Sequence, residues 1–296
     1  MFKSFFYRTV LLVAVLCLFG GFAASQEYGL VLAGGGGKGA FEVGVWRAMV
    51  DYGLAQKVTA MSGTSVGGLN AALFACYGSN VDEIERIWIT EVPTELTRDD
   101  ALISQKGLKA IIKRTPIQTM QENRFPSVTV TAVRDGVGIV PKAVFNTVFG
   151  GKFCERFVLN NESSLTEIGQ ELLATAAVPV ICDHIKLKDG YYYVDGGAGD
   201  NVPITPIVEN APKIKNIIIV YLDNRPVLMQ RVKVTDYEDK NLIEVIPSTD
   251  LGGFLRGLVN FTQSRIELLI RQGYEDASAL FESKGFKKVS SYWFEE

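Results

Sequence analysis

The sequence predicts an α/β fold in which helices cover both faces of a mainly parallel central sheet. An apolar run over residues 28–33 is followed by a glycine-rich loop and then by helical spacing over 38–52. A second apolar run over 57–61 leads through another glycine-rich turn into a helical stretch over 66–77. A strand, a helix and a second strand in this order form a βαβ unit, whose parallel strands require helices to cover the sheet.

The later part of the chain predicts further elements of the same fold. Alternating apolar residues indicate a strand over 127–133. Helical spacing over 165–177 stops before Pro179, because the residue preceding a proline avoids helical geometry. Further strands are expected over 191–195 and 217–222, and a last helix over 266–282.

Domain organisation is simple. No repeat or low-complexity linker interrupts residues 26–296, which we interpret as one domain. The stretch Thr90–Phe125 is the least periodic. It fits either a cap over a site or an ordinary surface excursion.

Composition limits the chemistry that the chain can perform. Of its 296 residues 47% are hydrophobic, so it can bury a large core and is not expected to be disordered. A formal charge of −3 argues against a general nucleic-acid-binding protein, which needs a basic face. His184 is the only histidine, and there are four cysteines, so a zinc cluster is not expected. We expect neither a metal nor a cofactor.

The segment Met1–Ser25 has the pattern of a secretory signal peptide, with a basic start, an apolar run and a small-residue end. The run is shorter than the about 20 apolar residues of a membrane-spanning helix, although an uncleaved anchor is the alternative. We therefore expect export to the periplasm, the cell surface or the external medium. After cleavage Cys76, Cys154 and Cys182 remain; three cysteines permit at most one disulfide, and buried thiols are the favoured interpretation.

The first motif is a glycine loop between the first strand and the first helix, Gly34-Gly35-Gly36-Gly37-Lys38-Gly39. Consecutive glycines let several backbone N–H groups point at one spot, and the helix N-terminus adds partial positive charge, so the loop predicts binding of a phosphate or an oxyanion. The loop also satisfies G-x-G-x-x-G, which leaves a dinucleotide site open. Such a site wants an acidic residue near the end of the second strand, which here ends in Met61-Ser62-Gly63, and this counts against a dinucleotide site.

The second motif, Gly63-Thr64-Ser65-Val66-Gly67, lies between the second strand and the second helix. This is the pattern of a nucleophile elbow, in which a sharp turn exposes the serine hydroxyl and the two glycines permit close packing. A flexible Gly/Ser turn is the alternative.

The third motif, Asp195-Gly196-Gly197, follows the strand predicted over 191–195. A carboxylate at a strand end beside two glycines can be held with little steric competition. In isolation this tripeptide is more often an ordinary turn.

In this order the three motifs resemble those of the patatin-like phospholipase family, which has G-G-G-x-[RK]-G, G-x-S-x-G and D-G-[GA]. Flanking residues agree, because the small-residue stretch Ala174–Pro179 precedes the aspartate, and Asn201 and Pro203 follow it. The resemblance covers residues 28–207, and the C-terminal part is less certain.

The resemblance implies a three-layer patatin-like fold and a phospholipase A or lysophospholipase type of ester hydrolysis. It implies a Ser65–Asp195 dyad, an acyl-enzyme intermediate and no cofactor, with an oxyanion held by the N–H groups of Gly35, Gly36 and Gly37. Lys38 would contact an anionic head group or remain a solvated charge. Partners would be a phospholipid or another acyl ester and, transiently, a lipid surface, for which Gly252–Gly273 is a candidate if it is not a core helix.

Three alternatives remain open at this point. An α/β-hydrolase needs a histidine after its acid, whereas His184 precedes Asp195. A nucleotide-binding Rossmann-type protein depends on the glycine loop alone. The chain could also be an inactive exported lipid-binding module.

Overall fold

Eight strands within the described residues form one sheet. The structure is a computed structural model that describes residues 26–122, 126–135, 154–162, 164–225 and 231–289. The segment interpreted as a signal peptide lies outside the described residues. Within the described ranges, no helix is both long and apolar enough to cross a membrane.

The strands follow one another along the chain as predicted, with three additions. They are β1 (Tyr28–Leu32), β2 (Val58–Thr64), β3 (Ser127–Arg134), β4 (Cys154–Val158), β5 (Ile185–Lys186), β6 (Tyr192–Asp195), β7 (Asn216–Val220) and β8 (Asn241–Val245). Their order in the sheet is β5-β6-β3-β2-β1-β7-β8, with β4 paired to β3. The β1–β2, β1–β7, β2–β3 and β7–β8 pairs are parallel, whereas the pairs of β3–β4, β3–β6 and β5–β6 are antiparallel. The prediction of a mainly parallel α/β sheet is confirmed.

Ten α-helices are found among the described residues. They are α1 (Ala40–Asp51), α2 (Val66–Tyr77), α3 (Val81–Arg86), α4 (Val92–Leu96), α5 (Gln105–Arg114), α6 (Gln118–Glu122), α7 (Leu165–Thr175), α8 (Thr205–Asn210), α9 (Phe254–Leu258) and α10 (Gln263–Ser283). A 3-10 turn over Gly36–Gly39 precedes α1. The helix expected over 66–77 has those bounds.

Helices cover both faces of the sheet. Every residue of β1 is buried, although successive side chains point to opposite faces. On one face Gly29 packs against Ile207 of α8. Gly29 pairs with Ala60 of β2, so Gly63, three positions further along β2, points to the opposite face, where it meets α2.

The ends of β2 and β6 meet beside β3. Thr131 of β3 pairs with Thr64 of β2, and the next residue, Ala132, pairs with Asp195 of β6. On their other side, Thr131 and Ala132 both pair with residues of β4. Because a strand residue has one neighbour on each side, β2 and β6 occupy the same side of β3 and point at each other. This arrangement brings Ser65, one residue beyond β2, to the terminal residue of β6.

The stretch Thr90–Phe125 is helical over most of its described residues. It contains α4, α5 and α6, and its last three residues lie outside the description. In α5 the residues Leu108, Ile111 and Ile112 are buried on one side, and the lysines on the other side are exposed. The stretch is therefore an amphipathic layer with an apolar inner face.

Candidate active site

Ser65 lies on a sharp turn between β2 and α2. Its backbone has φ 55° and ψ −127°, a region that non-glycine residues rarely occupy, and its carbonyl accepts the N–H of Leu69 in the first turn of α2. Such strain costs about 1–3 kcal/mol and persists only where the surroundings enforce it. The geometry is that of a nucleophile elbow.

Two glycines permit the chain to pack closely around this turn. A Cβ atom at Gly63 would overlap the backbone of Gly67, and one at Gly67 would overlap the carbonyl of Leu32 in β1. Side chains at either position would push α2 away from the sheet. The glycines of the second motif therefore serve close approach.

Asp195 is the last residue of β6, and only 6% of its surface is exposed. Its backbone N–H donates to the carbonyl of Ala177 at 2.8 Å, and its Oδ1 accepts the N–H of Gly197 at 2.7 Å. Burial raises the pKa of Asp195 to about 6, while the hydrogen bonds from Ser65 and Gly197 oppose that rise. Among the described residues, Oδ2 has no hydrogen bond of ordinary geometry, although the Ser65 hydroxyl is close enough to lower the pKa of the carboxyl.

Thr175, at the end of α7, holds the backbone of the elbow. Its buried hydroxyl accepts the N–H of Ser65 at 2.9 Å and donates to the carbonyl of Thr131 at 2.6 Å. We did not predict this contact, although Thr175 belongs to the Ala174–Pro179 stretch that the family resemblance singled out. The Ser65 N–H is therefore occupied and cannot donate to a substrate.

The glycine loop lies beside Ser65. A Cβ atom at Gly34 would lie 3.3 Å from the Cβ atom of Ser65. Asn201 fixes the loop through two hydrogen bonds to Gly34. Its side-chain Nδ2 donates to the backbone carbonyl of Gly34 at 3.1 Å, and its backbone carbonyl accepts the N–H of Gly34 at 3.1 Å. Asn201 also lies beside Gly197, so one residue joins the first motif to the third.

Among the described residues, the N–H groups at the start of the loop have no hydrogen bond to a backbone carbonyl. Gly36 and Gly37 begin a 3-10 turn, whose first N–H groups have no acceptor within the turn. Over the described part of the chain, the N–H groups of Gly35, Gly36 and Gly37 donate to no backbone carbonyl outside it. Gly36 has φ +56°, which favours glycine.

Lys38 is not the solvated charge that was one of its two interpretations. The side chain is buried, its stem lies beside Gly35 and Gly257, and its Nζ is 3.8 Å from Oδ2 of Asp223. Burial lowers the pKa of Lys38, and the nearby Asp223 carboxylate opposes that change. Lys38 therefore packs the loop against the α9 region.

The remaining motif glycines also mark close contacts. Gly39 packs against Val66 of α2, and Gly196 packs against the carbonyl of Thr131. A side chain at either position would separate the three motifs. Every residue predicted for the site therefore lies in or beside the elbow, the glycine loop or the Asp195 turn.

A polar network fixes the loop from the other side. Asn70 of α2 donates to the carbonyl of Gly39 at 3.0 Å and to Glu42 at 2.7 Å, and it accepts the indole N–H of Trp88 at 3.0 Å. Burial raises the pKa of Glu42 well above its usual value, and the hydrogen bond from Asn70 opposes that rise. The sequence contained no signal for this buried carboxyl group.

An apolar cavity extends from Ser65 into the helical layer. The space between its walls, together with the open solvent at its mouth, amounts to about 800 Å³. Ser65 and Gly36 form part of its wall. Almost all the rest is aliphatic or aromatic and comes from α2, the segment 87–117, α7 with the residues up to Val178, and Phe261. Of the two interpretations of Thr90–Phe125, the geometry favours a cap.

The other predicted candidates are His184, the three cysteines and Gly252–Gly273, and the last of these adjoins the site through Phe261. Nδ1 of His184 is 2.6 Å from Oδ2 of Asp135, and His184 lies on an exposed part of the chain. Cys76, Cys154 and Cys182 are free thiols. In Gly252–Gly273, Leu258 and Phe261 are buried, and the side chains of Phe254 and Leu255 lie outside the description.

Comparisons with known proteins cover the same region. Residues 30–208 match the family described as patatin-like phospholipase, and this range contains all three motifs. The neuropathy target esterases sws of Drosophila sechellia and Drosophila melanogaster are each 27% identical over 183 residues, which are 60% of this chain and 11% and 12% of those proteins. The chain thus spans little more than a tenth of these relatives.

Two bacterial structures are also similar. VipD from Legionella pneumophila has a TM-score of 0.49 and 13% identity, over 88% of this chain and 67% of VipD. The heterodimeric ExoU–SpcU complex of the type III secretion system of Pseudomonas aeruginosa has a TM-score of 0.42 and 17% identity, over 88% of this chain and 52% of that chain.

Proposed function

This chain belongs to the patatin-like phospholipase family, and from that premise we propose that it hydrolyses carboxylic esters of lipids. Ser65 is the nucleophile, Asp195 is its base, and the glycine loop holds the oxyanion. The observation that carries the proposal is the meeting of a strained serine and a buried carboxyl group at the ends of β2 and β6.

Asp195 is suited to act as the base. A serine hydroxyl is a weak nucleophile until a neighbouring group accepts its proton. An aspartate of ordinary pKa is a weak base, whereas a pKa of about 6 leaves Asp195 mostly ionised at pH 7 and more basic. Oδ1 is engaged by Gly197, so Oδ2 is the oxygen that accepts the proton.

The reaction then proceeds in two halves. As Oδ2 takes the proton, Oγ of Ser65 bonds to the ester carbonyl carbon, and the N–H groups of Gly35, Gly36 and Gly37 bind the oxyanion. One such donor is worth about 3 kcal/mol in the transition state. The ester C–O bond breaks, and the alcohol leaves with the proton from Asp195. In the second half Asp195 takes a proton from water as the water oxygen bonds to the acyl carbon. The bond from that carbon to Oγ of Ser65 then breaks, Asp195 returns the proton to Oγ, and the fatty acid leaves.

The cavity supports an apolar acyl group as the part of the substrate nearest Ser65. Its wall offers almost no polar surface, so a hydrocarbon chain can lose its water there without leaving polar groups unpaired. A phospholipid, a lysophospholipid and a neutral glyceride all present such a chain. The proposal therefore extends to the acyl group and leaves the head group open.

Purified Ser65→Ala and Asp195→Asn proteins test the dyad. Each should lose at least about 10³-fold in kcat on a short-chain nitrophenyl ester and on defined phospholipids, with an unchanged circular dichroism spectrum. A fluorophosphonate should label Ser65, while Ser283→Ala, a control at an exposed serine of α10, should behave as the parent. Retained hydrolysis by Ser65→Ala would falsify the nucleophile assignment.

A nucleotide-binding function is less well supported. The carbonyl groups of Leu258 and Asn260 pack against Gly36 and Gly37. These oxygens would repel a pyrophosphate lying on that side of the loop. Cofactor absorbance in the purified protein would restore this alternative.

An inactive lipid-binding module would retain the fold and lack turnover. Product analysis on defined esters separates it from an enzyme.

Export through Met1–Ser25 is a further proposal, and the N-terminal sequence of the mature protein tests it.

A further inference from the structure

Two exposed apolar side chains stand near the cavity. Val180 is fully exposed, and Leu102 is 62% exposed. Val180 also has φ 74°, which is highly unusual for a β-branched residue. An apolar side chain held in water by a strained backbone gains nothing from packing within the protein, so a contact outside the protein is the favoured explanation.

The loops that carry these two residues are joined to each other. The Gln105 side chain donates to the carbonyl of Asp183 at 2.8 Å and accepts the N–H of Asp183 at 3.0 Å. Gln105 is three residues from Leu102, and Asp183 is three residues from Val180. Leu102 and Val180 therefore stand on two loops that are held together, and we call these two residues the apolar rim.

The apolar rim is continuous with the wall of the cavity. Ile103, next to Leu102, and Val178, two residues before Val180, both line the cavity that contains Ser65. The intervening chain is also tied to the site, because Ala177 accepts the N–H of Asp195. An acyl chain that leaves a lipid aggregate at the apolar rim would meet apolar protein surface on its way to Ser65.

The charges beside the apolar rim indicate which lipid surface it fits. Lys106 lies 3.6 Å from Asp99, and Arg98 lies 3.3 Å from Glu95, so these two basic groups near Leu102 are paired with carboxylates. Asp100 and Asp183 add further negative charge. Such a patch would not attract an anionic membrane electrostatically.

We propose that Leu102 and Val180 insert into the surface of a zwitterionic lipid aggregate and dock the site on its substrate. This proposal rests on the proposed function, because docking on a lipid surface serves the hydrolysis of lipid esters. Because the contact is apolar, binding does not require anionic lipid and persists at high salt.

Vesicle binding tests the apolar rim without catalysis. In the Ser65→Ala protein, Leu102→Asp and Val180→Asp should each weaken co-sedimentation with phosphatidylcholine vesicles by at least about tenfold at both 0.1 M and 1 M salt. Val234→Asp and Val289→Asp replace residues that are 50% and 61% exposed elsewhere, and they should bind as the Ser65→Ala parent does. Val180→Gly relieves the strained backbone and should also weaken binding, which covers the case in which Val180→Asp fails to fold.

The same substitutions with Ser65 intact separate the two proposals. Rim variants should hydrolyse a water-soluble short-chain ester at the parental rate and vesicle phospholipid at least about tenfold more slowly. Parental binding by the rim variants, equal losses in the control variants, or binding that needs anionic lipid would overturn the rim proposal. So would rim-dependent self-association in ultracentrifugation without vesicle binding, which would indicate a second copy as the occupant. If no ester is hydrolysed but the rim variants still lose vesicle binding, the proposed function fails and the rim proposal stands.

Discussion

The hydroxyl of Thr175 accepts the backbone N–H of Ser65 at 2.9 Å, across 110 residues of sequence. The same hydroxyl donates to Thr131 in β3, so it ties the strained elbow to the sheet. Without this acceptor, the Ser65 N–H would be buried and unpaired, which costs about 1–3 kcal/mol. Thr175 is therefore a positioning residue for the proposed nucleophile.

The Thr175→Val substitution keeps the shape of the side chain and removes its hydroxyl. We expect kcat on a soluble ester to fall about 10- to 100-fold, because the elbow relaxes away from its reactive geometry, while KM stays close to the parental value. Thr175→Ser restores the acceptor and should recover most of kcat. A Thr175→Val enzyme with parental kcat, or a Thr175→Ser enzyme as slow as the valine variant, would contradict this role.

The pH dependence of hydrolysis reports the base. Because burial raises the pKa of Asp195 to about 6, kcat/KM should be half-maximal near pH 6 and fall tenfold per pH unit below it. Histidines commonly titrate in the same range, so His184→Ala is the necessary control. The fall of kcat/KM at low pH should be the same in His184→Ala as in the parent, since His184 contacts Asp135 outside the site. A fall that disappears in His184→Ala would return a histidine to the mechanism.

Asp195 should also make the fold less stable at neutral pH. Its pKa is raised in the native state, so the native protein binds this proton more tightly than the unfolded chain does. The associated stability is fully present below about pH 4 and is lost as the pH rises through about 6. Replacing the carboxyl group by an amide removes this loss.

We therefore expect Asp195→Asn to increase the free energy of unfolding by about 2–3 kcal/mol at pH 7 and to change it little at pH 4. Urea denaturation at the two pH values measures the difference. Asp189→Asn, a control at an exposed aspartate of the turn before β6, should not show this gain at pH 7. An equal effect of Asp195→Asn at both pH values would show that burial of the charge is not its cause.

Much of the fold and the three motifs could be predicted because the signals are local. A glycine next to a strand end, followed by helical spacing, indicates a tight strand-to-helix turn whatever the rest of the chain does. The bounds of α2 were predicted for this reason, since Ser65 precedes a largely apolar stretch. The family resemblance then connected Ser65 to Asp195.

The remaining features arise from contacts between distant segments. Nothing in the sequence near Lys38 indicates that Asp223 lies beside it, and nothing near Thr175 indicates that its hydroxyl meets Ser65. The cavity was equally hidden, because Leu108, Ile111 and Ile112 have the same spacing on α5 whether they pack against a solid core or line a void.

The cavity should determine which acyl chains are accepted. Ile112 lines it from α5, so Ile112→Trp places a larger side chain in space that the proposed acyl group would fill. Each methylene kept out of the cavity costs about 0.8 kcal/mol, so excluding two or three lowers kcat/KM for a long-chain ester about tenfold or more. Hydrolysis of a two- to four-carbon acyl ester should remain close to parental, because a short chain stays beside Ser65.

The adjacent Lys113 provides a matched control, since it lies on the exposed side of the same helix. Lys113→Trp should leave the ratio of long-chain to short-chain kcat/KM unchanged, whereas Ile112→Trp should lower that ratio. Denaturation of both variants separates this effect from overpacking, which destabilises a filled core by about 1–3 kcal/mol. If Ile112→Trp slows both esters equally, the tryptophan has disturbed the elbow itself. If it slows neither, the acyl chain lies elsewhere, and the cavity is not the binding site for the substrate.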